Sequence, residues 1–411
     1  MPPAIPQNRS TSAGAIDSAY AARHRQPGRR MKVVYFTESL LPHVDGVSRT
    51  LAQLFGYLES QGVDFRVCSP FVPGPDVSWS GRVRPVRYVR FPLYPDYRVT
   101  VPRLGSIARE LEAWGPELVH LVSPTPMASR AQGWARRRGI PVVSSFHTHF
   151  VSYFRYYGVP RLEGFGWRML RRFYERCERV YAPSDSIIAE LAEHGITNTE
   201  LWSRGIDLAR FSPDHRSAEL RAAAGAGPDT PVLLMVSRLV KEKDMADLVQ
   251  MDRILRQHGN IHRLVLVGDG PMRAELQAAL PDAYFAGHQS GDALARWYAS
   301  GDVFVFPSTT ETFGNVVLEA QASGLPTVVV DRGGPPDLVQ PGRTGFIARA
   351  NDPADLAQHC ERLLRNAGER ARMGRQAREV ARERDWAAIN GKLMESYRRV
   401  ITHPPRPLPR R

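Results

Sequence analysis

Short apolar runs alternate with longer segments of helical periodicity, and the series occurs twice along the chain. The first series opens on Lys32-Val-Val-Tyr-Phe-Thr37, which predicts a strand over residues 32–37. Helical periodicity follows over residues 47–61. Further strands are predicted over 63–69, 118–122, 142–146 and 180–183, with a helix over 128–138 and another from Ser184. The pattern restarts after Pro213. Strands are predicted over 232–236, 264–267, 303–306 and 327–330, separated by helices over 245–257, 273–280, 293–300 and 315–323. Residues 205–228 hold no strong strand and read as a crossover. A long helical region over 353–397 closes the body, and Asp385-Trp386 marks a break in it. Buried runs separated by helices imply parallel sheets covered on both faces. The expected fold class is therefore α/β, with two doubly wound Rossmann-like domains facing a cleft. In such sheets ligands bind beyond the carboxyl ends of the strands, and two facing ends make a site that can exclude water.

Composition narrows the class. A chain of 411 residues suits two ordinary domains, and 43% hydrophobic with 24% charged residues is normal for a globular protein. Cys68, Cys177 and Cys360 lie far apart and form no C-x-x-C pair, so neither a zinc site nor a disulfide framework is expected. No apolar run approaches the roughly 18 residues of a spanning helix, and residues 1–30 hold no signal-peptide core. A cytoplasmic protein is expected.

The formal charge of +13 suggests an anionic partner. It is unevenly placed. Residues 1–30 carry five Arg against Asp17, and residues 398–411 carry five Arg and no acid. Both tails read as disordered. Within the body, Arg82, Arg84, Arg87, Arg90, Arg98 and Arg103 are interleaved with Tyr88, Phe91, Tyr94 and Tyr97. Residues 161–179 read as a basic amphipathic helix. Such stretches are either solvated faces over a core or contacts with an anionic membrane surface. No RNA- or DNA-binding motif accompanies them, so nucleic acid is not expected as a partner.

Four loops carry candidate chemistry. The first is the strand-loop-helix Val303-Phe-Val-Phe-Pro-Ser-Thr-Thr-Glu-Thr-Phe-Gly-Asn-Val-Val-Leu-Glu319. Glu311 lies in its loop, and a helix start near Gly314, Asn315 and Val316 offers free amides that suit a phosphate. Glu319 lies just over one turn into that helix. The two carboxylates sit on different levels, which argues against a glycosidase pair. The second loop holds Arg238 and Lys243 just past a buried strand, where two cations can hold a diphosphate as it leaves. The third, Ser144-Ser-Phe-His-Thr-His-Phe150, offers His147 or His149. Two histidines at i, i+2 are a weak metal signal. The fourth brings Gly46 to a helix start in Pro42-His-Val-Asp-Gly-Val-Ser-Arg49. There is no G-x-G-x-x-G, no P-loop and no Asp-x-Asp, which disfavours dinucleotide cofactors and a metal-clamped nucleotide-sugar site.

Together these segments resemble the family 4 glycosyltransferases of the two-domain GT-B fold, and within it the GDP-mannose-dependent α-mannosyltransferases and sulfoquinovosyl transferases of glycolipid synthesis. The resemblance spans roughly residues 31–400. It rests on Thr37-Glu-Ser-Leu-Leu-Pro-His-Val-Asp-Gly-Val-Ser-Arg-Thr50, Phe146-His-Thr-His149, Phe154-Arg-Tyr-Tyr-Gly158, Trp202-Ser-Arg-Gly-Ile-Asp207, Val236-Ser-Arg-Leu239 with Glu242-Lys243, Gly268-Asp-Gly-Pro271 and Glu311-Thr-Phe-Gly-Asn-Val-Val-Leu-Glu319.

The resemblance implies an acceptor-binding domain over 31–207 and a nucleotide-sugar-binding domain over 208–385. A helix over 386–400 would return to the first domain, and basic tails over 1–30 and 401–411 would flank the body. It implies that Arg238 and Lys243 hold the donor diphosphate, that Glu311 lies near the donor sugar and that Glu319 meets the ribose. Backbone at Phe313, Gly314, Asn315 and Val316 would contact sugar or phosphate. Gly46 would approach the diphosphate and His147 the transferred sugar. No cofactor and no metal are implied. Ser237 and Asp45 depart mildly from the glycines of many relatives.

The expected activity is retaining transfer of a hexose, mannose from GDP-mannose first, to a hydroxyl of a lipid or sugar acceptor at the inner face of a membrane. The alternatives are a UDP-sugar-dependent glucosyl or sulfoquinovosyl transferase of glycolipids, and a sugar-nucleotide epimerase of the same fold. A phosphorylase, or a non-catalytic membrane- or nucleic-acid-binding protein, would be told apart by product analysis and by salt-sensitive RNA binding.

Overall fold

The computed structural model describes residues 30–91, 94–148, 161 and 163–402. Fifteen strands occur among them, labelled in chain order. β1 (Lys32–Phe36), β2 (Asp64–Ser69), β3 (Val83–Pro85), β6 (Leu118–Leu121), β7 (Val142–Ser145), β8 (Arg179–Ala182) and β9 (Thr199–Leu201) form a seven-stranded sheet of order β3-β2-β1-β6-β7-β8-β9. β4 (Tyr88–Phe91) and β5 (Tyr94–Thr100) form a separate antiparallel pair. The second sheet is fully parallel, with β10 (Val232–Val236), β11 (Arg263–Val267), β12 (Tyr284–Gly287), β13 (Val303–Phe306), β14 (Thr327–Val330) and β15 (Gly345–Ala348) in the order β12-β11-β10-β13-β14-β15. These are the two parallel sheets expected from the alternation of short apolar runs and helices.

By contacts the chain divides into one unit of residues 1–143 with 393–411 and another of 144–392. In the first unit, β1 and the helix Gly46–Ser60 bury Val33, Val34, Tyr35, Phe36, Leu51 and Leu54 completely or nearly so. The last helix, Trp386–Thr402, begins in the second unit and ends in the first. Its Tyr397 hydroxyl meets Tyr35 Oη at 3.3 Å and His120 Nδ1 at 2.5 Å, all fully buried. Burial pushes the His120 imidazolium down to about 3, so the ring is neutral and the cluster is uncharged. This helix runs to Thr402, so Arg398 and Arg399, counted with the charge of the C-terminal tail, belong to a folded element.

In the second unit, the core lies around the six-stranded sheet. Every side chain of β10, β13 and β14 is buried, as parallel strands covered on both faces require. The long C-terminal helical region is interrupted twice. Asn366 both ends Pro353–Arg365 and caps Ala367–Arg382, accepting from the Glu369 amide at 2.9 Å, and a second break precedes Trp386. The second break falls where Asp385-Trp386 predicted it.

Candidate active site

The site grows from the carboxyl ends of β10, β11, β13 and β14. β10 is an unbroken apolar run, and its chain leaves the sheet at Ser237. The following loop closes in a tight turn, Lys241–Lys243, and Asp244 takes a left-handed φ of 53°. Its carboxylate accepts from the Thr309 amide at 2.8 Å and from Thr309 Oγ1 at 2.9 Å. Thr310 Oγ1 donates to the Glu242 carbonyl at 2.8 Å. The loops after β10 and β13 are thereby laced together by backbone as well as side chains.

This lacing brings Lys243 to Glu311. The ammonium lies 2.5 Å from Glu311 Oε1 and 3.5 Å from Thr310 Oγ1. Arg238 sits apart from this pair. Its side chain is 62% exposed, with Nη2 3.8 Å from Oε1 of the buried Glu242. One loop therefore presents a buried cation and an exposed one.

The Glu311 loop is supported from behind by glycines. The Gly334 amide donates to the Glu311 carbonyl at 2.8 Å, and Gly333 has a φ of 71°. A Cβ at Gly333 would collide with the Glu311 carbonyl, and one at Gly334 with the Thr312 carbonyl. Gly268 and Gly270, after β11, press in the same way on the carbonyls of Ser237 and Leu239. Nothing in the residue pattern alone marked Gly333-Gly334 as part of the site. A glycine pair after a buried strand was the available signal.

Beyond Glu311 the chain turns into the helix Asn315–Ala322 through Gly314, at a φ of 92°. That helix has no side-chain cap, so its first-turn amides at Asn315 and Val316 have no acceptor within the helix. Phe313 is 4% exposed and its ring belongs to the core, so it can offer only backbone. Glu319 is buried and accepts from the Tyr298 hydroxyl at 2.8 Å through Oε2.

His147 follows β7. Its carbonyl accepts from Thr312 Oγ1 at 2.8 Å, and Ser184 Oγ donates to the Thr312 carbonyl at 2.9 Å. The imidazole Nδ1 lies 2.7 Å from Arg204 Nη2. In the sequence Arg204 belongs only to the motif Trp202-Ser-Arg-Gly-Ile-Asp207, which by itself assigns it no role. His149 and the segment 154–158 lie outside the described residues.

Gly46, in the other unit, opens the helix Gly46–Ser60. The start is already capped: the Asp45 carboxylate accepts from the Ser48 amide at 2.7 Å, and Ser48 Oγ accepts from the Asp45 amide at 2.8 Å. The Ser48 amide is taken up by this box, which leaves the first two amides, at Gly46 and Val47, for any ligand.

The basic stretches separate. Arg82 pairs with Glu59 and Asp64, Arg84 with Glu110, and Arg98 stacks on Phe71 and Tyr88 while donating to the Pro70 carbonyl. These arginines hold their own unit together. The helix Glu163–Tyr174 buries Leu170, Phe173 and Tyr174 but leaves Phe165 and Met169 55% and 57% exposed. Arg168 and Arg172 share that face at helical spacing. Neither has an acidic partner among the described residues. No helix of the described residues is long and apolar enough to cross a membrane.

Two parallel α/β sheets carry cations, a carboxylate and an uncapped helix start gathered at strand ends, an arrangement whose charge suits a phosphorylated ligand. Comparison with known proteins makes this specific. A sequence profile described as "Glycosyltransferase Family 4" matches residues 44–210, and one described as "Glycosyl transferases group 1" matches residues 230–366. A GDP-mannose-dependent alpha-mannosyltransferase of Mycobacterium tuberculosis is 35% identical over 380 residues, covering 90% of this chain and 97% of that one. The sulfoquinovosyl transferase SQD2 of Arabidopsis thaliana is 31% identical over 409 residues, covering 97% and 79%. Among solved structures, sucrose-phosphate synthase from Thermosynechococcus elongatus superposes with a TM-score of 0.73 at 22% identity, covering 91% of this chain and all of that one. HepE of Anabaena, solved in complex with UDP-glucose, gives 0.71 at 20% identity, covering 90% and 100%. The chain belongs to the family 4 glycosyltransferases of the GT-B fold, and it is a glycosyltransferase.

Proposed function

We propose that this chain is a retaining hexosyltransferase that moves mannose from GDP-mannose to a hydroxyl of a lipid or sugar acceptor. In this reading residues 31–207 take the acceptor and residues 208–385 the nucleotide sugar. The observation that carries the reading is the Lys243–Glu311 pair at 2.5 Å, three residues ahead of the uncapped helix start at Gly314. Lys243, the exposed Arg238 and the amides of Asn315 and Val316 supply positive charge for a departing diphosphate. These groups can do so without a metal, and no cofactor is proposed. The nucleotide assignment leans on the mannosyltransferases that share over 30% identity across nine-tenths of the chain.

The state of Glu311 supports a retaining course that forms no covalent intermediate. Its carboxylate is engaged by an ammonium, which weakens it as a nucleophile. A front-face course, with the leaving phosphate accepting the acceptor's proton, needs no protein nucleophile. Glu319, buried behind the helix start, is the residue proposed for the ribose.

Melting temperatures with GDP-mannose, UDP-glucose, GDP and UDP test the donor, because ligands bound to the native state raise the transition. GDP and GDP-mannose are expected to give the largest shifts, and a larger shift with the UDP ligands would favour the sulfoquinovosyl-type alternative. NMR of the product is expected to give an α-mannoside, in EDTA as in buffer. A β-anomer would refute retention, and loss of turnover in EDTA would refute metal independence.

The acceptor side is proposed to work at an anionic bilayer, with the face of Phe165, Arg168, Met169 and Arg172 laid on it. Exposed apolar side chains beside cations that have no acidic partner among the described residues suit the headgroup boundary of such a membrane. Cosedimentation with phosphatidylglycerol vesicles is expected, and Phe165→Glu with Met169→Glu should abolish it. Equal binding to neutral phosphatidylcholine vesicles, or no effect of the substitutions, would sink this assignment.

A further inference from the structure

We infer that Arg204 is a positioning residue that fixes His147 as the neutral tautomer protonated on Nε2, so that His147 serves the site as a fixed hydrogen-bond donor and not as an acid or base. The inference rests on the proposed placing of His147 beside the transferred sugar.

The geometry leaves one protonation pattern. A guanidinium has only donors. With Arg204 Nη2 2.7 Å from His147 Nδ1, that nitrogen must accept, and the single proton of the neutral ring resides on Nε2. A doubly protonated ring would set a second N–H against the guanidinium, adding a lost hydrogen bond to like-charge repulsion.

Arg204 is itself held rigidly. It is 4% exposed, and Nη1 donates to the Trp202 carbonyl at 2.6 Å and the Ser203 carbonyl at 3.0 Å. Its guanidinium stands 4.9 Å over the Trp202 ring. Burial pulls Arg204 down to about 9, which leaves it cationic at neutral pH. The Trp202 ring also packs edge-on against His147, with centroids 5.5 Å apart. The imidazole is thus fixed in plane by Trp202 and in tautomer by Arg204. The backbone of the same histidine is tied to the donor loop through Thr312. A rotation of the ring would have to break the Arg204 bond, so the orientation of the Nε2–H is set before any ligand arrives.

Two-bond proton–nitrogen correlations on the histidine-labelled full chain read the tautomer directly, with the His147→Gln spectrum supplying the assignment. A bare Nδ1 and a protonated Nε2 are expected between pH 6 and 8. A proton on Nδ1 would overturn the inference, whatever the donor proves to be. Arg204→Met should release the ring into mixed tautomers. Arg204→Lys, which keeps a cationic donor, should restore the single one and also serves if Arg204→Met does not fold. An unchanged spectrum in folded Arg204→Met would likewise overturn it. In turnover with a sugar donor, His147→Phe is expected to lower kcat at least about a hundredfold, the scale of one lost oriented donor. His147→Gln, which retains an N–H donor, should stay within about tenfold of the unaltered chain. If His147→Gln is as inactive as His147→Phe while the spectrum shows the expected tautomer, the donor role fails and the tautomer lock alone stands.

Discussion

Lys243 Nζ lies 2.5 Å from Glu311 Oε1, across 68 residues of sequence. The Lys243 side chain is 8% exposed and that of Glu311 30%. The cation proposed for the diphosphate is therefore engaged by the carboxylate proposed for the sugar. A donor must share this pair or open it. Lys243→Ala is expected to lower the transfer rate ten- to a hundredfold or more, the scale of one lost oxyanion-type contact, and to weaken GDP binding in calorimetry. Glu311→Gln should lower the rate by a similar factor, yet bind GDP at least as tightly, because Lys243 loses its competitor. Weaker GDP binding by Glu311→Gln, or near-normal turnover in either variant, would remove the two assignments.

The residues of this pair were legible in the sequence because both follow apolar runs that could only be buried strands. The pairing was not, since nothing local joins loops 68 residues apart. The same contrast holds across the fold. Strands such as Val232–Val236 and Val303–Phe306 appear where predicted, being unbroken apolar runs. Six strands escaped. Val83–Pro85 contains a proline, and Thr199–Leu201 and Tyr284–Gly287 are edge strands that bury little. Gly345–Ala348 is short and begins with glycine, while the β4–β5 pair lies in a stretch whose arginines masked its alternation. The helix Gly105–Trp114 also escaped, because Leu111 is its one fully buried side chain. Arg204 went without a role for a related reason. A buried arginine gives no sign in the sequence of which acceptor it meets.

Gly333 is expected to be as sensitive as the residues it supports. Its φ of 71° disfavours any side chain, and a Cβ would strike the Glu311 carbonyl. Gly333→Ala should cost about 1–3 kcal/mol in urea unfolding. It should also slow transfer by more than about tenfold, because the loop carrying Glu311 must shift. A control at Gly342, also at positive φ but with nothing within 4 Å of its Cβ, should leave turnover intact. Equal effects at the two glycines would show that the loss is backbone strain and not displacement of the site.

Tyr298 orients the other glutamate. Its buried hydroxyl donates to Glu319 Oε2 at 2.8 Å. Tyr298→Phe removes a donor from a buried carboxylate, at a cost of about 1–3 kcal/mol. If Glu319 holds the ribose equally in ground and transition states, the donor KM should rise about three- to tenfold while kcat changes little. A fall in kcat at constant KM would move Glu319 to the reacting sugar instead.

Asp302 sets a pH limit on the second unit. Burial pushes its carboxyl up, but the Val232 amide, Arg221 and Arg216 together outweigh burial and hold it below its ordinary 3.8. Arg221 Nη1 lies 2.7 Å from Oδ2 and Arg216 Nη2 2.7 Å from Oδ1. The folded state therefore prefers the charged carboxylate more strongly than the unfolded chain does. Its stabilisation is fully present above the unfolded value and is lost as pH falls through the lower folded one. Asp302→Asn leaves Arg221, 9% exposed, without its charge partner and should cost about 3 kcal/mol at neutral pH. The difference from the unaltered chain should shrink steadily below about pH 4. Urea midpoints measured from pH 7 down to pH 3 test this, and a difference that stays constant over that range would mean the Asp302 carboxylate does not contribute through its charge.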